Sequence, residues 1–340
     1  MSAGAQTVRE RTERNPIVIA LVLLLFAFNV SIGLYWLRHA PELPALAAQG
    51  EAMARFLQSI AAANHGYFDR VTKAELGIQI LNSTMTVTLL LWLLLALSRG
   101  WSVRVPLQIG IGSYVSYQVL SYWWCAALAG FPAVDATTFV PFALFFGGGL
   151  PWLLGGVYLA RDGARTALAR LARPVGQLAA RDKGSLWLIA FFAVIAYTLE
   201  VLWLYHAFEW PTQSGIWAAG ARYYGMGDRG YWDQPSYFEV GLESFNVVFI
   251  VASELWLGYA ILRRRAYRWP LQLSVGSYLT YSVIYYFTVK LVFPQMERQD
   301  FTSYAMLIVP NLPWLFGGAW WLGEAGAVIL KALRARPHVM

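Results

Sequence analysis

The chain has 340 residues, of which 58% are hydrophobic and 13% charged, with a mean hydropathy of +0.47. Soluble domains average about 25% charged residues, so this composition excludes a soluble globular enzyme, a disordered chain and a disulfide-stapled secreted module. Cys125, the single cysteine, cannot form an internal disulfide. The net charge of +7 raises the question of nucleic acid, which the placement of that charge answers.

A transmembrane helix needs about 20 mostly apolar residues, each rising ~1.5 Å through ~30 Å of hydrocarbon. Eight stretches qualify in chain order: residues 17–38, 77–98, 105–130, 138–160, 185–208, 240–262, 269–293 and 303–329. All are expected to be helices, because lipid-exposed strands would alternate polar and apolar positions. The first follows Arg9, Arg11 and Arg14, as a signal peptide would. Its apolar run is long and no small-residue cleavage site follows, so a retained anchor is expected. With eight spans both termini share a side. That side carries 18 of the 26 Lys and Arg residues, so both termini are expected in the cytoplasm. The positive charge is then topology information and headgroup contact, and no nucleic-acid partner is expected.

Two halves of the chain match. Leu37-Arg38-His39-Ala40 mirrors Leu204-Tyr205-His206-Ala207, and Gly66-Tyr67-Phe68-Asp69 mirrors Gly230-Tyr231-Trp232-Asp233. Pro106-Leu107-Gln108 mirrors Pro270-Leu271-Gln272, and Leu150-Pro151-Trp152 mirrors Leu312-Pro313-Trp314. From Gly66 to Tyr122 the offset holds at 164 without a gap. The expected organisation is all-α and polytopic. Two tandem four-helix units occupy 1–160 and 185–330, joined by a basic cytoplasmic linker at 161–184 and followed by a tail at 331–340. An even helix count per unit gives both units the same orientation, as in parallel repeats.

Polar positions present in one half only are candidates for a site. Glu200 matches Gly33, Glu243 matches Gln79 and Asn311 matches Gly149. A carboxylate at membrane depth costs about 2.5–3.5 kcal/mol on insertion scales, so it should face a cavity or a partner. Span five runs outward and span six inward, so Glu200 and Glu243 can meet in the outer half of the membrane. Two carboxyls in one apolar hollow divide into a protonated acid and an ionised base. Glu254, eleven residues after Glu243, is expected on the same helix face but nearer the cytoplasm. Tyr278, Tyr281 and Tyr285 recur at i, i+3, i+7, and Trp314 lies one turn from Asn311. Aromatic faces attract cations, so these side chains suit a carbocation formed by protonating an alkene.

Structural roles compete at each position. An intramembrane Glu also serves by bonding a neighbouring Ser, Thr or Tyr. The tyrosine stripe recurs as Tyr114, Tyr117 and Tyr122, and Trp314 recurs as Trp152, which fits packing. Asn311 precedes Pro313 and can satisfy the backbone that proline frees. His39 and His206 occur in both halves, and Glu254 and Glu324 suit pairing with Arg. Gly147-Gly148-Gly149 fits close helix packing better than phosphate binding. No metal-ligand spacing, nucleophile elbow or nucleotide motif occurs, so no cofactor or metal is expected.

The second half resembles the emopamil-binding protein family, or EXPERA domain. The stretches that carry the resemblance are Tyr224-Gly225-Met226-Gly227-Asp228-Arg229-Gly230-Tyr231, Glu243 to Trp256, Ile261-Leu262-Arg263, Leu271-Gln272-Leu273, Tyr281, Tyr286-Phe287 and Asn311-Leu312-Pro313-Trp314. The tandem arrangement is similar to the transmembrane 6 superfamily. The resemblance implies a helical unit around a cavity for sterols or cationic amphiphiles, and in the isomerase members a double-bond shift through a carbocation. It implies catalytic roles for Glu243, Glu200 and Asn311, with Trp314, Tyr197, Tyr278, Tyr281 and Tyr285 lining the substrate path. Two places depart from the family pattern: Ala196 stands where the isomerases have His, and Ser282-Val283 where a Gly-Asp pair is expected.

The functional expectation is a membrane protein with a sterol or isoprenoid-lipid cavity, acting as an alkene isomerase or cyclase. A non-catalytic lipid-binding or lipid-homeostasis protein and a proton-coupled transporter stay open. The expected partner is a hydrophobic lipid or cationic amphiphile, with a homodimer compatible. The expected setting is a bacterial inner membrane or the endoplasmic reticulum.

Overall fold

The computed structural model describes residues 15–61, 63–134, 138–171, 178–296 and 298–335. Arg9, Arg11 and Arg14, the middle of the expected linker and residues 336–340 lie outside the described residues. Among the described residues there are helices and turns and no strand. The helices are α1 (Pro16–Ala48), α2 (Ala52–Ala61), α3 (Lys73–Ser98), α4 (Arg104–Leu128), α5 (Phe139–Leu168), α6 (Ala180–Tyr205), α7 (Ile216–Gly225), α8 (Tyr237–Leu262), α9 (Arg268–Val292) and α10 (Phe301–Arg334).

Six of these, α1, α3, α5, α6, α8 and α10, are long and apolar enough to cross a membrane. The stretches 105–130 and 269–293 do form helices, α4 and α9, but these fall below that apolarity. The reason is their place. They are the inner pair, so their faces meet protein and carry buried polar groups: Arg104, Gln108 and Ser121 on α4; Arg268, Gln272, Ser277, Ser282 and Lys290 on α9. The exposed large apolar residues belong mainly to the outer helices, among them Leu24, Trp92, Leu154, Trp187, Trp256 and Phe316. The short helices α2 and α7 were not among the expected elements. At 10 residues each they are too short to span, and α2 carries its apolar residues Met53, Phe56, Leu57 and Ile60 as one stripe.

The bounds of α2, α3 and α4 return 164 residues later as α7, α8 and α9. Contacts between α4 and α9 come in exchanged pairs. Tyr114 stacks on Tyr281 with ring centroids 5.1 Å apart, and Tyr117 on Tyr278 at 5.6 Å. Ser277 donates to the Gly110 carbonyl at 2.7 Å, and Ser113 to the Ser274 hydroxyl at 2.9 Å. Each central helix also takes the other half's helix. A Cβ on Gly77 of α3 would lie 2.5 Å from Val289 of α9, and one on Gly241 of α8 would lie 2.5 Å from Cys125 Sγ of α4. Within each half, α4 meets α5 at Gly112, where a Cβ would lie 2.3 Å from the Gly156 carbonyl. In the same way α9 meets α10 at Gly276, 2.6 Å from the Gly318 carbonyl.

Four outer helices widen into a π-turn midway: Asn29–Gly33 in α1, Asn82–Thr86 in α3, Ala196–Glu200 in α6 and Asn246–Ile250 in α8. A π-turn inserts one residue into the helical period and re-aims the side chains beyond it by roughly 100°. All four lie at the level of two cavities between the helices. Gln108 bonds Asp162 at 3.1 Å and Gln272 bonds Glu324 at 2.7 Å at the other end of the bundle. Glu324 also pairs with Arg181 at 3.5 Å, and Arg268 with Asp182 at 2.5 Å.

Candidate functional site

Glu200 and Glu243 line one small cavity of about 50 Å³, together with Asn246, Ser282, Tyr286, Asn311 and Trp314. The π-turns create this meeting. Glu200 closes the turn in α6, and Glu243 stands just before the turn in α8. Glu243 accepts a short hydrogen bond from the Tyr231 hydroxyl. Trp314 stacks on Phe192 with centroids 4.0 Å apart, which fixes its ring at the cavity wall. The result is a hollow with two carboxyls, an indole and a phenol, and room for a few water molecules or a small cationic head.

Other expected residues lie elsewhere. Asn311 reaches the cavity, but its amide donates to the Leu307 carbonyl at 2.9 Å and the Tyr224 hydroxyl at 3.2 Å, not to a carboxyl. Tyr197 is 51% exposed on the outside of α6. Tyr278, Tyr281 and Tyr285 do not face the hollow. The first two stack against α4, and Tyr285 packs on Phe238 and donates to the Ala74 carbonyl. Tyr278 and Tyr281 form the interface between the inner helices, Tyr285 packs against α3 and α8, and the neighbouring stripe of Leu279, Ser282, Val283 and Tyr286 faces the cavity. Glu254, beyond the π-turn at 246–250, does not line this cavity. It is 0% exposed and neither carboxyl oxygen has a hydrogen-bond partner. His39 and His206 each lie against a glutamate one turn on, at 3.5 and 3.7 Å.

Sequence reasoning missed a buried charge cluster above this hollow. Lys290 at the end of α9 bonds Asp228 Oδ1 at 2.9 Å and Gln295 at 2.9 Å, and makes a short contact with Glu239. Asp228 also accepts from the Tyr286 hydroxyl at 2.6 Å and the Gly230 amide at 2.9 Å. Burial pushes the Asp228 carboxyl above its usual range, and Lys290 pulls it back. Nearby Asp233 is held low by its hydrogen bond from Arg229. The available signal was the pairing of Asp228 with Asn64 and of Lys290 with Ala126 at the 164-residue interval. Both charges appear in the same half.

The equivalent place in the first half holds a larger cavity of about 400 Å³. Its lining includes Gln79, Asn82, Thr86, Val115, Gln118, Val119, Tyr122, Gly149 and Trp152, the counterparts of Glu243, Asn246, Ile250, Leu279, Ser282, Val283, Tyr286, Asn311 and Trp314. Gly147 and Gly148 also line it, and a Cβ on either would meet nothing within 4 Å. Only Gly149 of this triplet packs closely, 2.7 Å from the Trp123 ring. Among the described residues no group of three or more His, Cys, Asp or Glu side chains converges as a metal site. Compared with known proteins, the chain matches no family model, no curated protein and no solved structure.

Proposed function

We propose that this is an eight-span membrane protein of two repeated units, and that its second unit binds the cationic end of an amphiphile between Glu200 and Glu243. The eight-span reading adds α4 and α9 to the six apolar helices. Each has 25 residues, which reach about 37 Å at ~1.5 Å per residue. The exchanged contacts at the 164-residue interval support the two-unit reading, and the excess of basic residues on one side supports cytoplasmic termini. The resemblance to EXPERA domains points the same way.

The observation that carries the binding reading is the convergence of two carboxyls and Trp314 on one hollow of about 50 Å³. That size takes an ammonium head, and the apolar remainder of the ligand then runs between the helices. A cation next to a desolvated indole gains about 2 kcal/mol or more, and a carboxylate partner adds to it. The test is equilibrium binding of a tertiary-amine amphiphile to the purified chain in lipid nanodiscs. Glu243→Gln and Glu200→Gln are each expected to weaken it at least ~10-fold, which is about 1.4 kcal/mol. Unchanged affinity in both variants refutes the assignment.

Alkene isomerisation is the second reading, favoured by the presence of two acids in one hollow. Protonated Glu200 gives its proton to one alkene carbon and leaves a carbocation on the other. Glu243, held ionised by the hydrogen bond from the Tyr231 hydroxyl, takes a proton from the next carbon, and that C–H electron pair becomes the new double bond. No oxidant or co-reactant is needed, and the two carboxyls re-equilibrate their proton afterwards. In heavy water this mechanism leaves deuterium in an unsaturated sterol or polyprenol. Mass spectrometry that finds neither a shifted double bond nor deuterium removes the isomerase reading and leaves the binding one intact.

A further inference from the structure

We infer that the first half carries a second binding site, distinct from the acidic one, which takes an uncharged lipid alcohol from the hydrocarbon of the membrane. It does not depend on the reading of Glu200 and Glu243. It rests on the cavity of about 400 Å³, within the roughly 300–1,000 Å³ of small-molecule sites.

The lining selects the ligand. Its polar groups are amides, hydroxyls, phenols and indoles: Asn29, Asn64, Gln79, Asn82, Gln118 and Tyr122 stand among apolar and aromatic side chains, and among the described residues no Asp, Glu, Lys, Arg or His lines the wall. An ionic ligand would be desolvated there without a counter-charge, which is costly. An apolar body with one hydrogen-bonding head meets no such penalty. A partner for that head is on hand. The Gln79 side chain lines the cavity, and its amide is the group in that wall offered to a ligand hydroxyl. At the matching point in the other half stands Glu243. Two equivalent hollows have therefore diverged, one amide-lined and roomy, the other acidic and tight.

The entrance is lateral. Phe28, Ile60 and Leu144 line the cavity and are also 37, 41 and 51% exposed. They come from α1, α2 and α5, which favours an entrance between those helices. The α5 wall is thinned by Gly147 and Gly148, which have open space where a side chain would stand.

The test uses the full chain in phosphatidylcholine nanodiscs, with tritiated cholesterol as a rigid lipid alcohol and tritiated geranylgeraniol as a flexible one. Saturable binding of either, near one per chain, is expected. Gly148→Phe fills the hollow without a steric clash and should weaken it by roughly 10-fold or more. Gln79→Leu keeps the volume and should weaken the alcohols while sparing the matching hydrocarbon without a hydroxyl. This second variant carries the test if the first does not fold. Measured in a Glu243→Gln background, saturable alcohol binding and its loss in Gly148→Phe and Gln79→Leu are still expected, which separates this site from the acidic one. Binding of one probe alone supports the site and fixes the shape it prefers. Absence of saturable binding by both overturns it. So does binding that survives both Gly148→Phe and Gln79→Leu, or that is lost in Glu243→Gln.

Discussion

Lys290→Met is the most telling single change in the buried charge cluster. The lysine side chain is 2% exposed and its two carboxylate partners 1% each, so water cannot replace the lost cation. Removing one partner of a buried ion pair costs about 3–5 kcal/mol, because the remaining charge is left uncompensated. Methionine keeps the volume, so little of that cost is cavity formation. Asp228 retains Tyr286 and the Gly230 amide, which places the loss near the lower end, about 3 kcal/mol. The first half shows how to recover it. Asn64 donates to Tyr122 at 2.8 Å, and Tyr122 donates to Glu75 at 3.0 Å. That cluster holds one carboxylate and no lysine. With all groups ionised, Glu75 alone and Asp228–Glu239–Lys290 together each carry one net negative charge. Lys290→Met with Asp228→Asn should therefore regain about 1–2 kcal/mol, within the usual coupling range. Thermal unfolding in detergent, followed by tryptophan fluorescence, should drop by on the order of 5–10 °C for the single variant and partly recover for the double. The pH dependence has a definite sign. A carboxyl raised by burial binds more protons folded than unfolded, so stability falls as pH rises through that window. The single variant should thus lose more at pH 8 than at pH 5. A single variant within about 1 °C of the parent, or a double no better than the single, refutes this account.

Two further expectations come from the same comparison of halves. Gly112→Ala and Gly276→Ala should each destabilise by about 1–3 kcal/mol through backbone overlap, despite the better helix propensity of Ala. Gly323→Ala and Gly326→Ala meet nothing within 4 Å and should be neutral or stabilising by up to ~1 kcal/mol. Glu254→Leu should stabilise by about 1–3 kcal/mol, since it replaces an unpartnered buried carboxyl by the residue type found at the equivalent Leu90. A loss of stability there would mean that Glu254 has a role that its surroundings do not disclose. Thermal unfolding in detergent measures both sets.

Much of the fold was legible because bilayer thickness imposes a length on apolar segments. The six apolar helices follow from that alone, and the offset of 164 from Gly66 to Tyr122 foreshadowed the recurrence of helix bounds. The convergence of Glu200 and Glu243 was also readable, from span direction and depth. Three things were not. The tyrosine stripe at 278, 281 and 285 has the same spacing whether it faces a cavity or a partner helix, and only packing decides. The π-turns leave no trace in a 3.6-residue pattern, so that pattern does not show how they re-aim the residues beyond them. The cavity in the first half was hidden because an absence of charge reads as an absence of function, whereas Gly147 and Gly148 make room that no reactive side chain announces.

The exchanged contacts between α4 and α9 break down at one pair, and that break bears on why the two hollows differ in size. Tyr117 of α4 donates across the interface to Asn246 at 2.7 Å, and Asn246 lines the acidic hollow. The exchanged bond would join Tyr281 to Asn82. It is missing: the Tyr281 hydroxyl is buried without a partner, and Asn82 lines the larger cavity. A strut from Tyr117 therefore ties the π-turn of α8 to the inner helices, and the π-turn of α3 lacks the equivalent bond from Tyr281. Removing a satisfied hydroxyl leaves Asn246 short of a donor and costs about 1 kcal/mol, whereas removing an unsatisfied one costs nothing and relieves a desolvated group. Tyr117→Phe should lower the unfolding temperature and raise the amine affinity by loosening the tight hollow. Tyr281→Phe should leave both stability and amine binding as they are, or add slightly to stability. The two substitutions are chemically identical and lie at equivalent positions. If they shift unfolding and binding equally, the strut does not set the difference between the cavities, and their volumes must come from the lining side chains alone.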